Sequence, residues 1–121
     1  MSLPDSTQRE VLPTGAHKDP SRKLARFDLI SPYALRRLAN HYGRGAEKYS
    51  DRDWEAGMPV SMLFSSAIGH LYRWLAGYRD DEDHLAAALW NISAIMHFEA
   101  THPDMLEGIP TTPTNPGGAD I

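Results

Sequence analysis

The sequence predicts an all-α protein: an antiparallel helical bundle completed by oligomerisation. Three observations lead there. Three stretches carry apolar residues at helical spacing, each with start and stop signals. No segment of the body makes a convincing strand. The body itself, residues 27–102, is small for a self-sufficient core, and its second helix has more apolar surface than two neighbours can cover. A homodimer or homotetramer is the economical solution.

At 121 residues the chain is one domain at most. The formal charge of −4 and pI of about 5.8 argue against a protein that coats nucleic acid. The absence of cysteine excludes disulfides, zinc–thiolate sites and thiol nucleophiles, and fits a reducing cytoplasm. MSLPDSTQRE has no apolar run of the signal-peptide kind. The most apolar window, Met58 to Leu71, is too short for a bilayer. A soluble cytoplasmic protein with no membrane or nucleic-acid partner is therefore expected.

Residues 1–26 are polar and broken by Pro4, Pro13, Gly15 and Pro20, so an irregular arm is expected. Its basic end (Lys18, Arg22, Lys23, Arg26) reads as a solvated face in preference to an anion-closing arm. Helix one opens at Ser31-Pro32, a preferred N-cap followed by a residue tolerated at the first helical position. Leu35, Leu38, Tyr42, Ala46 and Tyr49 recur at its period, and Arg36, Arg37, Arg44 and Lys48 make a basic side. If the helix continues far enough, Glu47 and Asp51 share a face. The string from Glu47 to Glu55 alternates charge with Tyr49 and Trp54 just before the breaker Gly57-Met58-Pro59.

Helix two is expected from about Val60 to Ala76, with Ser61 as N-cap and Gly77 as stop. It is apolar on most sides and should be buried, with His70 in its most apolar part. Helix three is expected from near Asp81 to His102-Pro103. Its acidic start suits the positive end of the dipole, and Ala86, Ala87 and Ala88 allow close packing. Residues 103–121 read as a flexible tail with no packing role.

The stretch from His70 to Asn91 organises the rest. Two helices joined by so short a link fold back antiparallel, which brings His70 to Asp83 and His84. His84, Ala87 and Asn91 share one face of helix three. Polar groups inside a helical hairpin are costly unless they are paired or bind something. A plainer account makes the acids helix caps and the histidines core residues.

RFDLISPYALRRLA, GRGAEKYSDRDWEAGMP, HLYRWLAG and DEDHLAAALWN, in this order and with TGAHKD upstream, resemble the phage and bacterial dATP/dGTP diphosphohydrolase family. That family lies within the all-α MazG-like nucleoside triphosphate pyrophosphohydrolases. The wider group typically carries E-x-x-E on one helix and E-x-x-D on the next, binding Mg²⁺ or Mn²⁺. This chain departs from it. Ser66 and His70 stand in place of the first pair, and Asp83 and Ala87 in place of the second.

The resemblance implies metal-activated attack of water on the α-phosphorus of a purine dNTP (dGTP, and dATP with it), releasing pyrophosphate. Two or three Mg²⁺ or Mn²⁺ ions per site would serve it. In phages that replace adenine by 2-aminoadenine, such an enzyme would supply dGMP. Hard ions prefer carboxylates and Mn²⁺ also accepts imidazole, so Glu47, Asp51, His70, Asp83 and His84 are the metal candidates. Glu47, Asp83 and His84 are the catalytic candidates. Arg44 and Lys48 would offset triphosphate charge, Tyr49 or Trp54 would stack on the base, and Asn91 would hold a water or phosphate oxygen. A non-catalytic helical interaction module and an HD-type metal phosphohydrolase are the alternatives. The reversed order Asp83-His84 counts against the latter.

Overall fold

A computed structural model describes residues 10–18 and 24–110. The chain divides into two compact units, with the break after Ile30.

In the first unit, β1 (Glu10–Val11) and β2 (His17–Lys18) form a short antiparallel ladder, with Glu10 opposite Lys18 and Val11 opposite His17. Gly15 sits at φ +86°, where an L side chain would be strained, and its N–H donates to Leu12 O at 2.8 Å. The expected irregular arm thus contains a hairpin. A 3₁₀ turn follows at Phe27–Leu29. Arg26 grips Asp28 through two bonds of 2.9 and 2.7 Å, so this arginine is already paired. Arg22 and Lys23 lie outside the described residues.

The second unit is all-helical among the described residues. α1 (Pro32–Lys48) starts as expected, with Ser31 Oγ accepting from Ala34 N–H at 3.3 Å. It ends at Lys48, capped by the Tyr49 N–H on Gly45 O at 2.9 Å. Asp51 therefore falls in a turn, and the face that Glu47 and Asp51 were expected to share does not form. A 3₁₀ turn at Asp53–Ala56 leads to Gly57, whose φ is +109°. A Cβ there would come within 3.1 Å of Met105 Cε, so the chain needs glycine twice over.

α2 (Val60–Leu75) begins after Pro59, so Ser61 lies inside the helix and no side chain caps its start. α3 (His84–Thr101) begins three residues later than the acidic run suggested, with Asp83 as its cap. α2 and α3 pack most extensively, and α1 lies against α3. The core is at the end of the hairpin remote from its turn. Val60 and Leu63 meet Ala94 and Phe98 there, flanked by Trp54, Met58, Trp90 and Ile95. Val60, Leu63, Ala67 and His70 are the buried residues of α2, one stripe at helical spacing. The rest of this apolar helix is not covered by the described residues: Met62, Phe64, Tyr72 and Leu75 are well exposed.

The region beyond α3 also differs from expectation. A 3₁₀ turn at Pro103–Leu106 places Met105 and Leu106 against the core, because Gly57 leaves room for Met105. The tail assigned no packing role thus packs over its first residues, and 111–121 lie outside those described. No helix among the described residues is long and apolar enough to cross a membrane.

Candidate functional site

The site is built by the way α2 stops and α3 starts. Gly77 takes φ +92°, and two bonds close the α2 terminus: Tyr78 N–H to Arg73 O and Gly77 N–H to Trp74 O, both 3.0 Å. Arg79 Nη1 adds bonds to Trp74 O (2.9 Å) and Tyr78 O (3.0 Å), and its guanidinium lies 5.4 Å from the Trp74 ring centre. The chain then turns through Asp80–Glu82, where Glu82 N–H donates to Asp80 Oδ1 at 3.2 Å. Asp83 Oδ1 accepts from Ala86 N–H at 3.1 Å and starts α3. His84 is thereby held in the first turn of α3, facing back onto α2.

The two imidazoles meet inside the hairpin. His70 and His84 are both buried, and their Nδ1 atoms are 3.0 Å apart. One Nδ1–H donating to the other satisfies that contact, and so does a cation shared by two lone pairs. The Glu82 carboxylate lies beside both, 3.7 Å from His70 Nε2 and 4.0 Å from His84 Nδ1. Asp80 Oδ1 is 2.9 Å from His84 Nε2 but outside hydrogen-bond geometry, so that buried nitrogen has no hydrogen-bond partner among the described residues. Burial pushes the His70 imidazole below its ordinary value, with Glu82 opposing, so the ring is held neutral as a ligand must be. His70, Glu82 and His84 each offer one donor within 4.8 Å of the others. Two imidazole nitrogens and a carboxylate oxygen are a set that divalent transition ions accept.

The other sequence candidates lie elsewhere. Asp83 is not part of this group. Arg37 of α1 grips it with bonds of 2.6 and 2.8 Å, and this guanidinium holds the carboxyl well below the usual range, at about 2. Its oxygens serve the ion pair and the helix cap. Glu47 is exposed near the end of α1, and Asp51 is exposed in the following turn. Asn91 is buried, but its Nδ2 bonds back to Ala87 O at 2.8 Å. Lys48 Nζ lies 5.4 Å from the Tyr49 ring centre.

A cavity of about 340 Å³ lies between α1, the following turn and α3. Tyr42, Trp54, Trp90 and His41 wall it, and Tyr49, Asp51 and Asp53 also line it. The rings pack edge to face or tilted: Tyr42–Trp54 5.7 Å, Trp54–Trp90 6.2 Å and His41–Trp90 5.7 Å between centres. His41 Nδ1 is buried without a hydrogen-bond partner among the described residues. Burial lowers the His41 pKa, Arg44 adds to that, and Glu82 opposes it. His41 thus lines the cavity and also lies within electrostatic reach of the imidazole–carboxylate group. Arg37, His41, Arg44 and Lys48 follow one another at intervals of four, three and four, a single stripe along α1.

The dATP/dGTP diphosphohydrolase, N-terminal, family model matches residues 14–107, most of the chain. The chain belongs to this family. No curated protein and no solved structure matches it.

Set against the family, this geometry contains three residues that sequence reasoning passed over. Glu82 looked like one more dipole-facing acid, and only the closure of α2 at Gly77 turns it toward the histidines. His41 carried no signal beyond its place beside Tyr42. Trp90 carried no signal that set it apart from the other apolar residues of its helix.

Proposed function

We propose that the chain hydrolyses purine deoxynucleoside triphosphates, dGTP and with it dATP, to the monophosphate and pyrophosphate. The observation that carries this reading is the buried imidazole pair beside the Glu82 carboxylate, in a member of the dATP/dGTP diphosphohydrolase family. His70, His84 and Glu82 would hold the divalent ion, with Asp80 in reserve. Mn²⁺ suits this nitrogen-rich set better than Mg²⁺, which demands oxygen ligands. Such an ion neutralises phosphate oxygens and acidifies water.

The chain's own groups do the positioning. Arg44 and Lys48, on the same stripe of α1 as the Asp83-bound Arg37, would offset triphosphate charge. The Arg37–Asp83 pair ties α1 to the start of α3, which keeps that stripe in register with His84. A cleft of about 450 Å³, lined by Arg37, Asp80, Glu82 and His84 together with Trp74, Tyr78 and Leu85, leaves room for the phosphate chain.

Chromatography of products from a (d)NTP panel with Mn²⁺ or Mg²⁺ tests this reading, with monophosphate and pyrophosphate expected. In ¹⁸O-water the label should enter the monophosphate. Label in pyrophosphate would mean attack at the β-phosphorus and would overturn the proposed course of reaction.

The uncovered face of α2, with Met62, Phe64 and Leu75, supports a homodimer or homotetramer, since apolar patches of this kind mark interfaces. Light scattering that finds a folded 13.5 kDa monomer at micromolar concentration would rule that assembly out.

A further inference from the structure

We propose that the aromatic cavity is the base pocket of this nucleotide site, and that the carboxylates of Asp51 and Asp53 make it read guanine. The identity of the ligand as a nucleotide rests on the function proposed above. The assignment of pocket and readout rests on the cavity alone.

Size comes first. At about 340 Å³ the cavity is at the small end of ligand sites. It has room for a base and its sugar but not for a triphosphate as well. The phosphates must leave it, and the exit is marked by His41. That residue lines the cavity, lies within reach of the fields of Glu82 and His70, and belongs to the basic stripe of α1. A nucleotide with its base against Tyr42, Trp54 and Trp90 would thus run its phosphates past Arg44 toward His70 and His84.

Chemistry decides which base. Ring faces give stacking area but do not tell purines apart. The acidic groups lining the cavity can. A carboxylate only accepts hydrogen bonds, through two oxygens side by side. Guanine presents two adjacent donors, N1–H and N2–H₂, which match that pair of acceptors as a guanidinium does. Adenine presents a lone pair at N1, which a carboxylate repels. Cytosine likewise offers a lone pair beside its amino group. The buried, unpartnered Nδ1 of His41 is a further hydrogen-bonding group on this wall, suited as a donor to guanine O6 or N7. The Asp51 and Asp53 carboxylates are solvated, so their preference is worth about tenfold, and an edge that leaves the buried His41 Nδ1 unpaired adds to it.

The test uses the full chain in EDTA, so that no hydrolysis occurs, in a Trp74→Phe background. Emission then comes from Trp54 and Trp90 alone, the two remaining of the three tryptophans. Titration with dGMP should quench saturably, and with at least about tenfold higher affinity than dAMP or dCMP. Asp51→Asn or Asp53→Asn should lower the dGMP affinity about tenfold while leaving dAMP unchanged or improved. Both residues are exposed, so neither variant threatens the fold, and unchanged melting temperatures would verify this. Equal quenching by all three nucleotides, no quenching up to the solubility limit of dGMP, or an unchanged guanine preference in both variants would each overturn the proposal. If dGTP is still hydrolysed in those cases, the hydrolase reading survives without this pocket. Guanine-selective quenching in a chain that hydrolyses no dNTP with any cation would leave the pocket standing and remove the hydrolase.

Discussion

The two ends of the α2–α3 hairpin are made of the same helices and do opposite things. At the end remote from the turn, Val60, Leu63, Ala94 and Phe98 bury apolar surface with no polar group among them. At the turn end the same packed stripe carries His70, His84 and Asn91, all buried. Hydrophobic burial stabilises the first end roughly in proportion to area. The second end gives up that gain and instead confines nitrogen donors that are costly to desolvate. One end holds the hairpin together so that the other can afford to be polar.

The apolar end depends most on Phe98, which is fully buried. Phe98→Ala should cost about 3–5 kcal/mol in urea unfolding. A loss below about 1 kcal/mol would mean that the apolar end is not what holds the hairpin closed.

His84→Ala addresses the other end. In EDTA it should change stability far less than Phe98→Ala. Mn²⁺ at one hundred times its dissociation constant should stabilise the parent chain by about 2.7 kcal/mol and this variant hardly at all. Equal Mn²⁺ shifts in both proteins would remove the ion from this end of the hairpin.

Asp83 separates a structural acid from a ligand-like one. Asparagine is also a good N-cap, so Asp83→Asn should lose only the exposed half of its role, about 0.5–1 kcal/mol from the Arg37 pair. Asp83→Ala should lose the cap as well, about 1 kcal/mol more. Both should keep the Mn²⁺-dependent shift. Its disappearance in Asp83→Asn would return Asp83 to the ion site.

The smallest effects follow pH. His41 and His70 are held below their ordinary values, so the folded state binds fewer protons than the unfolded chain there. Stability in EDTA should therefore be constant above about pH 6.5 and fall as pH drops through that value. Asp83, depressed from 3.8 to about 2, contributes stability above its unfolded value that is lost as pH falls toward 2. A melting temperature that rises on acidification from pH 7 to 5.5 would contradict the first of these assignments.

Much of the fold was legible because its signals are local. Ser31-Pro32 starts α1, Gly77 ends α2 and an acid starts α3, each through bonds to backbone groups within a few residues. The meeting of His70 with His84 was also legible, since a short link between helices allows little else. The shared face of Glu47 and Asp51 was not. Helical periodicity says nothing about where a helix stops, and α1 unwinds at Tyr49 between them. Met105 was missed for a related reason: the room it fills is left by Gly57, far away in the chain.

The helices, their order, the hairpin and the two histidines near its turn all follow from local signals, because propensity, caps and short loops act over a few residues. Which acid serves which purpose follows from packing in three dimensions. Asp80, Glu82 and Asp83 are chemically almost alike and adjacent in the chain. Whether a carboxylate caps a helix, pairs with Arg37 or faces an imidazole depends on directions set by the closure of α2 and the placing of α1 across α3. Those directions arise from packing between elements distant in sequence, and an acidic run carries no record of them.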